Sequence, residues 1–260
     1  MFRSEKEIHG ISVHAVDGLA GKVDQLVFDD RNWAIRYIVV DIGSWLSVKR
    51  VLISPAAIKH ITKDRLYTRN SGDQIKNSKP FERIELVSRQ EERELHEYYS
   101  WPFYWSYPQT YNSLGAAIYP GLSPPPFNQS EHLITREALK KDSEKEQKTR
   151  KSHLRETKEI RGYTIQATDE EYGSVVDFII DDTLWVIRYL VISEGFIHPS
   201  KHLVAPQWTG GIDWGESTVY VLRDRKTIEN SPPYNPELPV DRDYENMVYD
   251  HFKGKKYWEE

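Results

Sequence analysis

The stretch from Gly21, GKVDQLVFDDRNWAIRYIVVD, returns from Gly173 as GSVVDFIIDDTLWVIRYLVIS. The offset between the copies is 173 − 21 = 152 residues, with no gap across the block. Asp29-Asp30 and Asp181-Asp182 stand at matching places, followed by Trp33 or Trp185 and then Ile-Arg-Tyr. Self-similarity at a fixed offset is the signature of a structural unit used more than once. The 260-residue chain therefore reads as two units of ordinary small-domain size.

The block predicts a strand pair, Lys22 to Phe28 and Trp33 to Asp41, around Asp29-Asp30-Arg31-Asn32, residue types that tolerate turn conformations. In the second strand Trp33, Ile35, Tyr37 and Val39 alternate with Ala34, Arg36, Ile38 and Val40, so the two sets lie on opposite faces. Both faces are largely apolar, which predicts a central strand. Its lone charge, Arg36 or Arg188, needs an acid partner or an exit to solvent. Ile8 to Val13 reads as a short opening strand, Val48 to Ile53 as another stopped by Pro55, and Ile58–Ile61 with Arg65–Thr68 as a last hairpin. Short strands separated by turn signals indicate a mainly β fold, a small barrel or sandwich. A helix from Ser88 to Tyr99 seals it, with Ser88 and Glu91 spaced as a capping box.

Residues 106–159 have no counterpart elsewhere. Tyr107 to Phe127 is rich in Pro, Gly, Tyr and Asn, and Glu131 to Glu156 is dense in charge; the latter reads as a solvated helix or a mobile linker. The second unit opens at Ile160-Arg161-Gly162. At an offset of 153 its end matches the first: Arg242 with Arg89, Glu245 with Glu92, Tyr257-Trp258 with Tyr104-Trp105. The expected organisation is a first unit at 1–105, a connection at 106–159 and a second unit at 160–260, each unit closing in a helix with an aromatic end.

The doubled Gly-x-Val hairpin with Asp-Asp and Trp-x-Ile-Arg-Tyr, together with Leu95-His96-Glu97-Tyr98-Tyr99 and Trp101-Pro102, resembles the PRC-barrel family, in its tandem bacterial form. That family is named for the cytoplasmic domain of the photosynthetic reaction centre H subunit. The resemblance implies two small, partly open β-barrels that dock against partners. In the H subunit the barrel abuts membrane-embedded subunits and assists proton and electron transfer to quinone; in the ribosome-maturation factor it is a protein-docking module. The H subunit's transmembrane helix has no counterpart in this sequence.

Candidate chemistry is sparse. The paired aspartates could hold a cation, but adjacent residues at a hairpin tip point apart, so turn formation is the favoured reading. His198 and His202, four apart, would share one face of a helix and suit a metal, yet Pro199 and the following strand argue against a helix there. The first copy has Leu46 and Arg50 instead. His96 reads as a packed or surface histidine. No nucleophile elbow, P-loop or dinucleotide fingerprint occurs, and no cofactor is expected. With no cysteine, thiolate metal sites and disulfides are excluded. The net charge of −5 and the absence of basic residues among the aromatics argue against a nucleic-acid partner. Phe-Arg-Ser-Glu-Lys-Glu after Met1 lacks an apolar core, and no run is long enough to span a bilayer, so a soluble cytoplasmic protein is expected, with peripheral membrane contact left open.

The expected function is that of a non-enzymatic interaction or scaffold protein that docks a protein partner or a second copy of itself. Trp45, Phe196, Trp101, Phe103, Tyr107 and Tyr111 are the candidate contact residues. A ligand site or enzyme active site between the units is the alternative, and an electron-transfer accessory role a more distant one.

Overall fold

A computed structural model describes residues 1–43, 48–105, 153–195 and 200–259. It is mainly β, with two sheets of seven strands. The main path of the first sheet comprises β2 (Ser12–Ala15), β3 (Gly18–Asp29), β4 (Ile35–Asp41), β5 (Arg50–Ile53), β6 (Ile58–Ile61) and β7 (Arg65–Thr68), in the order β5-β4-β3-β2-β7-β6. The second repeats it with β9 (Thr164–Gln166), β10 (Glu171–Asp181), β11 (Val186–Glu194), β12 (Ser200–Val204), β13 (Thr209–Asp213) and β14 (Thr218–Val221), in the order β12-β11-β10-β9-β14-β13. In both, the end strands of the path do not pair with each other, so neither ladder closes among the described residues.

The seventh strand of each sheet comes from the other half of the chain. β1 (Phe2–Ser4) pairs with β10, placing Phe2 opposite Asp181 and Ser4 opposite Ile179. β8 (Leu154–Glu156) pairs with β3, placing Leu154 opposite Asp29 and Glu156 opposite Val27. Adding 152 to a β1 residue and subtracting 152 from its β10 partner gives a β8–β3 pair, so the exchange is reciprocal. Each strand leads into one helical turn, α1 (Glu5–Ile8) after β1 and α4 (Thr157–Ile160) after β8. Leu154 to Glu159, grouped with the connection in the sequence reading, thus repeat Phe2 to Glu7. Residues 106–152 of that connection lie outside the described residues.

The hairpin follows the sequence expectation with one change at Trp33. That residue has a φ of 60° and Trp185 one of 52°, so both leave the strand for the left-handed region, which bulky side chains rarely enter. The turn hydrogen bond Trp33 N to Asp29 O, at 2.8 Å, recurs as Trp185 N to Asp181 O at 2.7 Å. The twist swings each tryptophan carbonyl towards the other unit. Ile187 N donates to Trp33 O at 3.0 Å, Ile35 N donates to Trp185 O at 2.8 Å, and Ala34 bridges Val186. Strand alternation does not extend to Trp33 because its backbone serves this contact.

β4 is buried from Ile35 to Val40 and lies between β3 and β5, the central position its two apolar faces require. The opening strand begins only at Ser12, because Ser4 and Glu7 form a capping box that turns Glu5–Ile8 into helix. The remaining helices are α2 (Gly72–Asn77), α3 (Arg89–Tyr99), α5 (Arg225–Glu229) and α6 (Arg242–Phe252). α3 starts as predicted: Glu91 N donates to Ser88 Oγ at 3.2 Å and Ser88 N donates to Glu91 Oε2 at 3.0 Å. Ser88→Ala is expected to cost about 1 kcal/mol, measured as a lower urea midpoint with unchanged slope.

Candidate functional site

The helix that closes each sheet buries polar groups. α3 turns Glu92, His96 and Tyr99 inward at a helical spacing of four and three residues. Glu92 lies against Tyr37 of β4, and both are essentially inaccessible to solvent. The Tyr37 hydroxyl is 2.9 Å from Glu92 Oε2 and 2.9 Å from His96 Nε2. Tyr104, in the aromatic segment after α3, donates to the same Glu92 oxygen at 2.5 Å, while Arg89 Nη1 sits 3.0 Å from Glu92 Oε1. His96 Nδ1 is 2.8 Å from the Pro102 carbonyl, and the rings of Trp101, Phe103, Tyr104 and Trp105 surround the imidazole.

The second unit repeats this cluster with one substitution. Glu245 Oε1 accepts from Tyr189 at 2.6 Å and from Tyr257 at 2.8 Å, and Arg242 is 2.9 Å from Oε2. Arg36 lies over the Tyr104 ring at 4.2 Å and Arg188 over Tyr257 at 4.0 Å. At the place of His96 stands Tyr249.

Burial raises the carboxyl pKa of both Glu92 and Glu245, against the lowering pull of their tyrosine and arginine partners. Burial also lowers His96 to about 4. A lowered imidazole means that the unfolded chain binds a proton there, between the ordinary histidine range and pH 4, that the folded chain refuses. This contribution to stability is complete above the ordinary value and is lost as pH falls through about 4. Taken alone this term is on the order of 3 kcal/mol. The raised Glu92 carboxyl acts with the opposite sign, so the term is read in Glu92→Gln, whose denaturation midpoint should fall between pH 6.5 and 4 and flatten when His96→Phe is added.

The duplicated aspartates have divided roles. The first of each pair holds the buried arginine of its own unit: Arg36 Nη2 is 3.6 Å from Asp29 and Arg188 Nη2 is 3.2 Å from Asp181. The second grips the strand donated by the other unit. Arg3 Nε binds Asp182 at 2.6 Å, and Arg155 Nη2 lies 3.4 Å from Asp30. Arg3 and Arg155 are themselves repeat partners, since 155 − 3 = 152. The helical turns meet beside them: Thr157 Oγ1 donates to Glu5 Oε1 at 3.1 Å, and Ser4 Oγ to Asp177 Oδ2 at 2.5 Å. Glu5 is buried, which raises its pKa, and Arg161 is 3.5 Å from its other oxygen.

No protein-family model matches this sequence, and no curated protein is significantly similar to it.

Of the residues singled out in the sequence, Trp101 is buried and stacks on Tyr99 at 4.1 Å, which takes it off the surface. Phe103 is half-buried, 5.1 Å from Trp105. Trp105 and Trp258 are half-buried against the core. Trp45, Phe196, Tyr107, Tyr111 and His198 lie outside the described residues. His202 is buried, with Nδ1 2.9 Å from Ser231 Oγ. Ser231 gives its own proton to the Ile228 carbonyl, so the imidazole donates through Nδ1. No group of three or more potential metal ligands forms among the described residues. None of their helices is long and apolar enough to cross a membrane. A depression lined by Arg188, Pro206, Gln207 and Tyr257 has room for about one water molecule.

The Tyr37–Glu92 and Tyr189–Glu245 contacts escaped the sequence reading. In the sequence Glu92 and Glu245 stand out only as repeat partners, although a further signal marks them. A glutamate on the inward face of a sealing helix requires donors, and the repeated Tyr of Ile-Arg-Tyr can supply one.

Proposed function

We propose that the chain is a non-enzymatic interaction or scaffold protein, two partly open barrels of the PRC type joined as one body, whose working surface meets a protein partner. The observation that carries this reading is the fate of the duplicated polar residues. Asp29, Asp30, Asp181 and Asp182 are all spent on arginines of the fold, and two of the four ion pairs join the units. The buried Tyr–Glu–Arg clusters likewise pair with one another, and the depression beside Arg188 and Tyr257 has room for about one water molecule. Chemistry present in both copies therefore serves architecture, which leaves surfaces that differ between copies for recognition.

The test is proximity cross-linking of the full chain in its native cells, followed by reconstitution with each purified candidate. A purified protein that binds stoichiometrically, with binding weakened by Phe103→Ser, supports the reading. Absence of any reconstituting partner counts against it. The ligand-binding alternative draws on two buried polar groups: Glu5 is buried, and among the described residues neither amide atom of buried Gln25 has a hydrogen-bond partner. Under that reading a small polar metabolite would raise the melting temperature of the native chain and leave Gln25→Leu unchanged.

A further inference from the structure

The hydrogen bonds around His96 fix a proton count. A carbonyl oxygen only accepts, so the 2.8 Å contact with Pro102 O requires a proton on His96 Nδ1. The Tyr37 oxygen sits 2.9 Å from both His96 Nε2 and Glu92 Oε2, and a hydroxyl has a single proton to give. With an ionised Glu92 and a neutral imidazole, one of those two contacts would set lone pair against lone pair in a buried site. All three contacts become hydrogen bonds only when the group carries one proton more. Glu92 can hold it, donating to Tyr37, which donates to Nε2. Alternatively His96 can hold it, donating to Tyr37, which donates to the Glu92 carboxylate. Shifting two protons along the chain interconverts the two arrangements without changing the total.

The second unit has no such requirement. Tyr249 replaces the imidazole, and an ionised Glu245 accepts from Tyr189 and Tyr257 with Arg242 beside it. The charged and titratable groups facing the first cluster are Arg36 on β4, Asp29 on β3, Arg89 on α3 and Tyr104 in the aromatic segment. Their counterparts Arg188, Asp181, Arg242 and Tyr257 face the second. The surroundings are thus matched, and the imidazole is the difference.

We infer that Glu92, Tyr37 and His96 share one proton in the closed first unit, so that docking of α3 and its aromatic end is linked to pH by one proton more than docking of α6. The raised carboxyl of Glu92 and the lowered imidazole of His96 are consistent with the placement on Glu92. Opening of α3 exposes Glu92 and His96 to water, where the extra proton leaves. Above the ordinary histidine range, where the exposed imidazole does not take that proton up, a rise in pH therefore favours opening of α3, and a conformational signal of pH is confined to one end of an otherwise duplicated molecule.

Two measurements on the full chain test this. The first is infrared and nitrogen-15 spectroscopy near neutral pH. A protonated-carboxyl band that disappears in Glu92→Gln supports the inference, as does an imidazolium signature at His96; a carboxylate together with a neutral imidazole overturns it. The second is hydrogen exchange, taken as the ratio of opening constants for Arg89–Tyr99 and Arg242–Phe252 in one sample, which cancels the intrinsic pH dependence. Above the ordinary histidine range the ratio should rise about tenfold per pH unit while the cluster retains its proton. It should flatten in Glu92→Gln, whose amide supplies the same donor, and in His96→Tyr, which installs the second unit's residue. A ratio independent of pH above the ordinary histidine range in the native chain overturns the inference.

Discussion

Gly173→Ala is expected to unfold the second unit, with a loss of more than about 4 kcal/mol. Gly173 has a φ of 55°, and a Cβ built there would sit 2.0 Å from the carbonyl oxygen of Ser193 and 2.7 Å from its carbon. The obstacle is backbone of the neighbouring strand, so no rotamer change relieves it, and the left-handed φ adds strain of its own. Gly21 holds the matching place in the first unit. Its Cβ would meet Asp41 O at 2.4 Å, without a left-handed backbone. Gly21→Ala should therefore be severe but milder. Urea denaturation of the two variants would show this order; equal, small losses would mean that β10 and β11 do not approach so closely.

Asp29→Ala should cost about 3–5 kcal/mol, because it strands a buried cation. Arg36 is 3% exposed, Asp29 1%, and they lie 3.6 Å apart, with Arg31 binding the same carboxylate at 2.8 and 2.9 Å. Burial pushes the Asp29 carboxyl up, but the hydrogen bonds and charges of Arg31 and Arg36 outweigh it and hold the carboxyl below its ordinary value. Its contribution is thus present above the ordinary aspartate range and lost as pH falls through the lowered one. The decisive comparison is a double-mutant cycle. Asp29→Ala in an Arg36→Met background should lose much less than in the native background, since no charge is then left unpaired. Additive losses would show that the turn, and not the ion pair, accounts for the effect.

Much of the fold was legible because it follows from local rules. Alternation with two apolar faces placed β4 at the centre of its sheet, and the single charge on that strand demanded the acid that Asp29 provides. Ser88 and Glu91 marked the start of α3, and the spacing of Ile58 to Thr68 gave β6 and β7 their limits. The exchange of leading strands was not legible, although Phe2-Arg3-Ser4 and Leu154-Arg155-Glu156 obey the same offset as the hairpins. Three residues are too few for periodicity to speak. Asp30 and Asp182 satisfied turn chemistry so well that their grip on Arg155 and Arg3 left no residual signal. The left-handed tryptophans were hidden for a related reason: a residue that follows strand alternation in type can still leave the strand when a distant carbonyl contact repays the strain. For the site, His96 was visible as a residue, but its importance depends on Pro102, Tyr37 and Glu92 converging on it in space.

Reciprocal strand donation also dictates an order of assembly. Synthesis proceeds from the N-terminus, and the last residues of β3 are paired on one side only, with β4, until Leu154–Glu156 have been made. β1 must in turn wait for Asp181 to offer it an edge. The first half consequently emerges with the outer edge at the end of β3 open, a state that invites mispairing with a neighbouring nascent chain. A duplicated protein whose halves could fold one after the other is thereby made to complete both together, and its maturation is timed by the second half of the message.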